Sequence, residues 1–335
     1  MIGGGGLLLA AAIVSYVSIV LLHPLLQNYA LARPNARSSH TTPTPQGGGI
    51  AVVGATLVLS GIVVIASDLF EPGVAARLWQ VIAAAALIAV VGAVDDIRTI
   101  AIAPRLLLQT IAVAAVVASF PADFHVLPML PGWLERIVLL LAGVWFVNLV
   151  NFMDGIDWMT AAELVPVTGG LVLIGLVASA MPAAGMMVAL ALCGAILGFA
   201  PFNRPVAKLF LGDVGSLPIG LLLFWLLILL AEKSLAAAVI LPLYYVADAT
   251  LTLFRRAIKG EPFWQAHRTH FYQRATDRGF SVSEVVTRVF AVNLALVACA
   301  LFAVLVPGAA SASAACAAAL VLVGWLLFTF ARGRR

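Results

Sequence analysis

The stretch FLGDVGSLPIGLLLFWLLILLA, residues 210–231, joins a glycine-rich polar turn to a long apolar run. A helix of about 20 apolar residues crosses the roughly 30 Å hydrocarbon core of a bilayer. Backbone groups in lipid are satisfied only in helices or closed barrels, and this run lacks the two-residue alternation of a barrel strand. The stretch therefore predicts a membrane-spanning helix with polar side chains at its mouth.

The whole chain has the composition of an integral membrane protein. Of its 335 residues, 63% are hydrophobic and 10% are charged, and the mean hydropathy is +1.10, whereas soluble domains are roughly 45–50% apolar. We predict a single all-α transmembrane domain over residues 1–335, a polytopic bundle of about eleven helices, with ten as the lower count. The predicted spans are 3–26, 47–67, 78–97, 101–120, 134–152, 159–180, 184–201, 212–231, 235–256, 283–306 and 310–331.

Basic residues predict the orientation of the bundle, because Lys and Arg in short loops are retained in the cytoplasm. With the N-terminus outside and the C-terminus inside, all but three of the 19 Lys and Arg residues fall on the inner face. The three exceptions are Arg77, Arg136 and Lys233. The predicted cytoplasmic loops are then about 27–46, 95–104, 152–158, 202–213 and 257–282.

Five polar stretches on the inner face hold nearly every side chain suited to chemistry. An ionised side chain in lipid costs roughly 2.5–3.5 kcal/mol even on a lenient insertion scale, so acids at the ends of apolar helices call for a reason. We expect that reason to be a metal-assisted active site at the membrane surface. The five stretches are Gly47–Gly49, Asp95-Asp96, residues 148–157, residues 212–216 and residues 267–270.

Asp95 and Asp96 follow the apolar run of the third span. The negative end of the helix dipole disfavours carboxylates there. One interpretation is a solvated helix end. The other uses the roughly 100° between adjacent side chains of a helix, which lets one carboxylate meet a metal and the other a phosphate or its proton.

Polar residues recur at every third position in NLVNFMDGIDWM, at 148, 151, 154 and 157. This step keeps two amides and two carboxylates on one side of a helix end or turn. A membrane helix gains nothing from such a stripe unless it faces a cavity or ligand. Amide and carboxylate oxygens suit Mg²⁺, which keeps several waters and is completed by substrate phosphates.

Asp213 lies between two glycines at the mouth of the eighth span. It could serve as a helix N-cap. Alternatively, a helix N-terminus beside glycines is a cradle for phosphate. Together with the acids above, this position points to a metal-bound pyrophosphate.

These motifs, in this order, resemble the polyprenyl-phosphate N-acetylhexosamine-1-phosphate transferase superfamily. The resemblance runs from about residue 33 to about residue 280. It rests on RPNARSSHTTPTPQGGG (33–49), VDDIR (94–98) with Pro104-Arg105 downstream, NLVNFMDGID (148–157), FLGDVGS (210–216) and the basic histidine loop (267–270).

The resemblance implies a reaction in which a polyprenyl phosphate attacks the β-phosphorus of a UDP-sugar and releases UMP. It implies that Asp213 is the principal Mg²⁺ ligand and Asn151 a second, with Mn²⁺ able to substitute. Asp95 matches the acid that takes the proton from the lipid phosphate, and Asp96 its neighbour near the metal and phosphate. UDP-GlcNAc is the default donor and undecaprenyl phosphate the acceptor.

The same resemblance assigns the remaining candidate residues to the substrate. Gly155, Ile156 and Asp157 match the loop that holds the uracil, and Asp154 matches a polar support of the nucleotide site, with Asn148 grouped beside them. Arg268 and Arg105 are the cations expected to meet substrate. The implied location is a bacterial inner membrane, multi-pass, with membrane lipid as surroundings, a possible homodimer and no nucleic-acid partner.

The histidine loop departs from the related pattern Asp-Arg-x-His-x-His-His. His270 falls on the first histidine and is the predicted phosphate contact or proton carrier, while Tyr272 and Gln273 replace the other two. These replacements favour O-antigen-initiating enzymes over the phospho-MurNAc-pentapeptide transferase of peptidoglycan synthesis, which stays the alternative. Trp158 stands where a second glycine is usual, and the intramembrane Asp248 needs a buried partner such as Arg, Ser or Thr.

Two other classes of protein remain open from the sequence. A transporter for a nucleotide or lipid-linked sugar would also want intramembrane acids and a basic inner face, but it would move substrate without releasing UMP. A purely structural scaffold would tolerate loss of Asp213.

Overall fold

The computed structural model describes residues 3–29, 31–32, 43–66, 69–261 and 267–334. Residues 33–42, the first part of the RPNARSSHTTPTPQGGG motif, therefore lie outside the described residues. In the described part the chain forms thirteen helices. They are α1 (Gly4–Tyr29), α2 (Gly49–Ala66), α3 (Pro72–Ile97), α4 (Ile102–Ala118), α5 (Gly132–Met153), α6 (Met159–Ala178), α7 (Ala183–Phe199), α8 (Asp213–Ala231), α9 (Leu235–Ile240), α10 (Leu243–Ile258), α11 (Phe271–Asp277), α12 (Val282–Leu305) and α13 (Ala309–Arg332).

The predicted class, an all-α polytopic membrane protein, is confirmed. Within the described ranges, eight helices are long and apolar enough to cross a membrane, and α4 and α7 are shorter apolar helices. The predicted span 235–256 is divided into α9 and α10, because Pro242 cannot donate a backbone hydrogen bond and its ring blocks a continuous helix. The count of eleven spans is therefore not confirmed. The only strands in the described part, β1 (Leu31–Ala32) and β2 (Thr44–Pro45), pair antiparallel.

The predicted span 78–97 ends where α3 ends, and the predicted loop 257–282 contains a further helix. Helix α3 continues to Ile97, so Asp95 and Asp96 belong to its last turn. The predicted loop 257–282 contains the short helix α11.

Helix α8 is the centre of the bundle. All of its residues except Asp213 and Leu229 are buried, and it packs against α2, α3, α5 and α9. Because it is apolar all round, it is enclosed by other helices rather than by lipid. Its N-terminus thus lies at one end of the bundle, among the ends of α3 and α5.

Helix α3 approaches the start of α8 more closely than a side chain would allow. A Cβ on Gly92 would collide with the backbone of Asp213 and Val214. Glycine at this position therefore sets the spacing at which the Asp96 side chain, one turn further on, reaches α8.

We predict that Gly92→Ala destabilises the protein by about 1–3 kcal/mol, because backbone must move to admit the methyl group. Gly54→Ala is the matched control, since a Cβ on Gly54 meets no described atom within 4 Å. Melting temperatures of the purified variants in one detergent check this. Equal melting of the two variants would contradict the close approach.

Candidate active site

The first turn of α8 is held by an acid from α3. The Asp213 and Val214 amides donate to the Asp96 carboxylate at 2.9 and 3.0 Å. The N-cap is Gly212, with φ of 79° and no capping side chain, so Asp213 is the first helical residue and not the cap. A carboxylate is stabilised at a helix N-terminus. Asp96 thus occupies the amides that the sequence suggested as a phosphate cradle.

Arg105 joins the two other acids of the site. Its Nη1 donates to Asp95 Oδ2 at 2.7 Å and reaches Asp213 Oδ2 at 3.4 Å. The second oxygen of Asp95 accepts from the Ile100 amide at 2.6 Å. Asp95 is therefore fixed by the turn between α3 and α4, and the Arg105 guanidinium stands between the two carboxylates.

The two asparagines of α5 face different helices. Asn151 Nδ2 donates to Asp213 Oδ1 at 2.7 Å and to Ser216 Oγ at 2.9 Å. Asn148 Nδ2 donates to Gln109 Oε1 on α4 and to the Val144 carbonyl, both at 2.8 Å. A three-residue step falls about 60° short of a full helical turn. Asn151 thus points toward α8 and Asn148 toward α4.

The predicted nucleotide loop is tied to the segment that precedes α8. The Ala207 amide donates to Asp157 Oδ2 at 2.9 Å, and the Trp158 amide donates to Asn203 Oδ1 at 2.7 Å. Trp158 has φ of 63°, and its indole N–H donates to the Ala200 carbonyl at 2.7 Å. A left-handed conformation is easiest for glycine, which accounts for the usual glycine here. In this chain the tryptophan is held in that conformation by its two hydrogen bonds.

Asp154 follows the end of α5 and accepts a hydrogen bond from the Thr160 hydroxyl. Burial raises the pKa of Asp154 to about 6, and the charges of Asp96 and Asp157 act in the same direction, while Thr160 opposes them. Carboxylates that share a small volume disfavour one another's ionisation. A cation bound among them would relieve this repulsion.

These elements enclose a cavity of about 270 Å³, which we name the acidic pocket. It contains seven of the predicted site residues together with Gln46, Asn203, Phe210, Leu211, Gly212 and Gln273. Its predicted members are Asp96, Asn151, Asp154, Gly155, Ile156, Asp157 and Asp213. The predicted residues Asn148, Asp95, Arg105, Arg268 and His270 are not among those that line it.

Reasoning from the sequence missed Gln46 and Asn203 as site residues, and it named Gln273 only as the replacement of a histidine. Gln46 pairs with Phe210 as a short parallel bridge, and its side-chain amide donates to the Asp96 carbonyl at 2.7 Å. The available signal was its position directly before Gly47–Gly49. Asn203 lies in a segment with no chemical motif, so only the fold brings it to the pocket.

The oxygen donors of the acidic pocket fit a hard cation. In the described ranges, no three His, Cys, Asp or Glu side chains cluster closely enough to hold a metal by themselves. Mg²⁺ does not need such a cage, because one or two carboxylates suffice when waters and substrate phosphates complete its shell. Asp213 and Asn151 meet this requirement.

His270 is the N-cap residue of α11 and is buried, with 2% of the residue exposed. Its Nδ1 lies 3.3 Å from Asp248 Oδ1, and the Phe271 and Tyr272 amides donate to Asp248 at 2.9 and 3.1 Å. The hydroxyls of Tyr244 and Thr252 also donate to Asp248, both at 3.3 Å. Asp248 therefore holds the start of α11, and the expected Ser or Thr partner is Thr252.

Helix α11 presents Gln273 to the acidic pocket, while Tyr272 is buried behind Gly155. The Tyr272 hydroxyl donates to the Phe152 carbonyl at 3.0 Å and fills the space that a Cβ on Gly155 would need. The Gln273 amide lies beside the same glycine. Arg268 forms an ion pair with Asp277 at 3.0 Å. Of the two residues that replace histidines, Gln273 thus lines the pocket and Tyr272 supports Gly155 from behind, whereas His270 faces Asp248.

The sequence of residues 78–231 matches the glycosyl transferase family 4 model. Along most of its length the chain is similar to curated polyprenyl-phosphate N-acetylglucosamine-1-phosphate transferases. A probable undecaprenyl-phosphate N-acetylglucosaminyl 1-phosphate transferase of Bacillus subtilis is 26% identical over 297 residues, covering 82% of this chain and 78% of that protein. A decaprenyl-phosphate N-acetylglucosaminephosphotransferase of Mycobacterium tuberculosis is 28% identical, covering 84% of this chain and 78% of that protein.

A further match is shorter and covers 27% of the chain. A phospho-N-acetylmuramoyl-pentapeptide-transferase of Limosilactobacillus reuteri is 36% identical over 91 residues, which are 27% of this chain and 28% of that protein. The resemblance drawn from the motifs is confirmed by these matches.

We predict that Asp248→Ala destabilises the protein by about 3–5 kcal/mol, because buried amides and hydroxyls lose their shared acceptor. Asp277→Ala is the matched control, since Asp277 is exposed and pairs with Arg268 at the surface, where a pair contributes about 0–1 kcal/mol. Thermal unfolding in detergent measures both. Wild-type melting of Asp248→Ala would contradict the role given to this acid.

Proposed function

We propose that this protein transfers a sugar 1-phosphate from a UDP-sugar, UDP-GlcNAc by preference, to undecaprenyl phosphate and releases UMP. The observation that carries the proposal is the acidic pocket at the mouth of the buried helix α8, with Asp213, Asn151 and Asp154 in its wall. The N-acetylglucosamine-1-phosphate transferases that are similar along most of the chain support the same reaction class.

We further propose that the enzyme depends on Mg²⁺, with Mn²⁺ able to substitute. Asp213 and Asn151 would hold the ion, because both line the pocket and each side chain carries an oxygen that suits Mg²⁺. When bound, the ion neutralises the negative charge that develops on a diphosphate during phosphoryl transfer.

The remaining residues position the reactants. Asp96 fixes the first turn of α8 and thereby the direction of Asp213. Arg105, partly exposed between Asp95 and Asp213, supplies the nearest cation for an incoming phosphate. Asp95 stays the predicted proton acceptor from the lipid phosphate, and Asp157 with Ile156 stays the predicted uracil contact. Phosphoryl transfer needs chiefly this positioning and charge neutralisation.

His270 receives a different role in this proposal from the one the motif suggests. Its ring is enclosed by Asp248, His267 and Tyr272, with ring centroids 4.9 and 5.7 Å from the latter two. We propose that it supports the position of α11, while Gln273 is the side chain of that helix that meets the donor.

The proposed location is a bacterial inner membrane, with the N-terminus outside, the C-terminus inside and the acidic pocket toward the cytoplasm, where nucleotide sugars are made available. The positive-inside distribution of Lys and Arg supports this orientation. A role in O-antigen synthesis and a homodimer stay predictions from the resemblance.

We predict that the purified protein releases UMP from UDP-GlcNAc when undecaprenyl phosphate is present. Excess EDTA should abolish the release and Mg²⁺ or Mn²⁺ should restore it, because hard oxygen ligands prefer such ions. A panel of UDP-sugars in the same detergent assay identifies the preferred donor. Full activity in EDTA would refute the metal, and substrate movement across vesicles without UMP release would indicate a transporter.

Two variants of α5 test the site with matched chemistry. Asn151→Ala should lower kcat by about 10- to 100-fold and weaken Mg²⁺ activation, because it removes a metal ligand or its orienting partner. Asn148→Ala removes the same group from the same helix but faces Gln109, so its kcat and Mg²⁺ dependence should match wild type. Equal losses in two folded variants would refute the assignment of Asn151.

A further inference from the structure

A second cavity lies on the other side of α11 from the acidic pocket. Its volume is about 220 Å³, and we name it the basic cavity. Gln273 lines the acidic pocket and the next residue, Arg274, lines the basic cavity. The basic cavity is lined by Thr252, Arg255, Arg256, Lys259, Glu261, Thr269 and Arg274.

Positive charge exceeds negative charge in the basic cavity. Its one acid, Glu261, pairs with Arg256 at 2.8 Å. Among the described residues, no carboxylate lies within 4.0 Å of Arg255, Lys259 or Arg274. Within the described part of the chain, these three cations therefore have no anionic partner, and they line a cavity that is open to solvent on one side, with Arg255 and Lys259 exposed and Arg274 half-buried.

The lowered pKa of Arg274 is consistent with this excess of positive charge. Burial lowers the pKa of Arg274, and the nearby charges of Arg278 and Arg255 lower it further. Arg255 is also held in place, because its guanidinium lies 5.4 Å from the centroid of the Phe271 ring. An anion in the cavity would relieve the repulsion between Arg255 and Arg274. Of these two cations, Arg255 is already oriented by its contact with Phe271.

Helix α10 connects the basic cavity to lipid. It carries Arg255 and Lys259 at the cavity and also exposes Leu251, Phe254 and Ile258, of which Phe254 is 62% and Ile258 70% exposed. A helix with an apolar face and a basic face lies at the membrane interface. Anionic lipid head groups gather at that depth and are attracted by basic residues.

We propose that the basic cavity binds the phosphate group of a membrane lipid, at a site separate from the acidic pocket. Guanidinium groups match phosphate oxygens in a forked geometry, and a lysine ammonium adds a point charge. The lipid tail would lie along Phe254 and Ile258. Both a phospholipid diester and the polyprenyl phosphate monoester carry this chemistry, so the proposal stands beside the transfer reaction and does not depend on it.

The test compares two double variants that remove the same charge from the same end of the bundle. Lys259→Gln/Arg274→Gln alters the basic cavity, and Arg204→Gln/Lys208→Gln alters exposed cations of the segment before α8. Native mass spectrometry measures binding to purified protein in dodecyl maltoside micelles. The probes are phosphatidylglycerol, undecaprenyl phosphate, phosphatidylcholine and inorganic phosphate, and thermal unfolding verifies that both variants are folded.

We expect saturable binding of at least one anionic lipid to the wild type. The cavity variant should weaken it by about fivefold for each cation removed, or roughly 25-fold in total, and the control variant by much less. The anionic lipid that shows this loss identifies the source of the phosphate. Equal weakening by both variants, equal binding of phosphatidylcholine, or binding of inorganic phosphate without either anionic lipid would overturn the proposal.

Discussion

The hydrogen bonds from the first turn of α8 to the Asp96 carboxylate fix the geometry of the candidate site. They join the end of α3 to the start of the most buried helix at 2.9 and 3.0 Å. Asp213 takes its direction from that turn, Asn151 and Arg105 reach Asp213, and Gln46 donates to the Asp96 carbonyl. A hydrogen bond from a backbone amide to a charged acceptor contributes about 1.5–3 kcal/mol to stability, more than a hydrogen bond between neutral groups. The site is thus assembled around a helix end rather than within a loop.

Asp248 likewise accepts hydrogen bonds from the first amides of a helix, in this case α11 on the other side of the pocket. The amides of Phe271 and Tyr272 donate to it, as those of Asp213 and Val214 donate to Asp96. Helix α11 has only seven residues, and isolated helices below about 12 residues are marginal in water. A buried carboxylate at its N-terminus therefore stabilises the helix that places Gln273 at the pocket. Two acids thus hold helix ends on opposite sides of the site. Asp96 also lines the acidic pocket, whereas Asp248 does not.

Apolar run length and polar clustering were enough to predict the class of fold and the end of the bundle that carries the site. Each predicted span overlaps a helix because no alternative satisfies the backbone in lipid. Sequence spacing could not tell Asn148 from Asn151, since the answer depends on which neighbour faces each residue. It also could not reveal that Asp96 fills the helix end, or that Asn203 arrives from a segment without a motif. Such contacts are decided by packing between distant helices.

Charge is separated across α11, and this separation follows from the geometry of one short helix. Adjacent side chains on a helix point about 100° apart, so Gln273 meets the acidic pocket while Arg274 meets the basic cavity. Because Gln273 is neutral, α11 adds no positive charge to the acidic pocket, whereas Arg274 adds one to the basic cavity. Among the pocket acids, Asp213 already has Arg105 at 3.4 Å, and the cations of α10 and α11 that line the basic cavity are those to which we assign the lipid phosphate. His270 lies at the start of the same helix, buried with its ring against Asp248, and in our proposal it supports the orientation of α11.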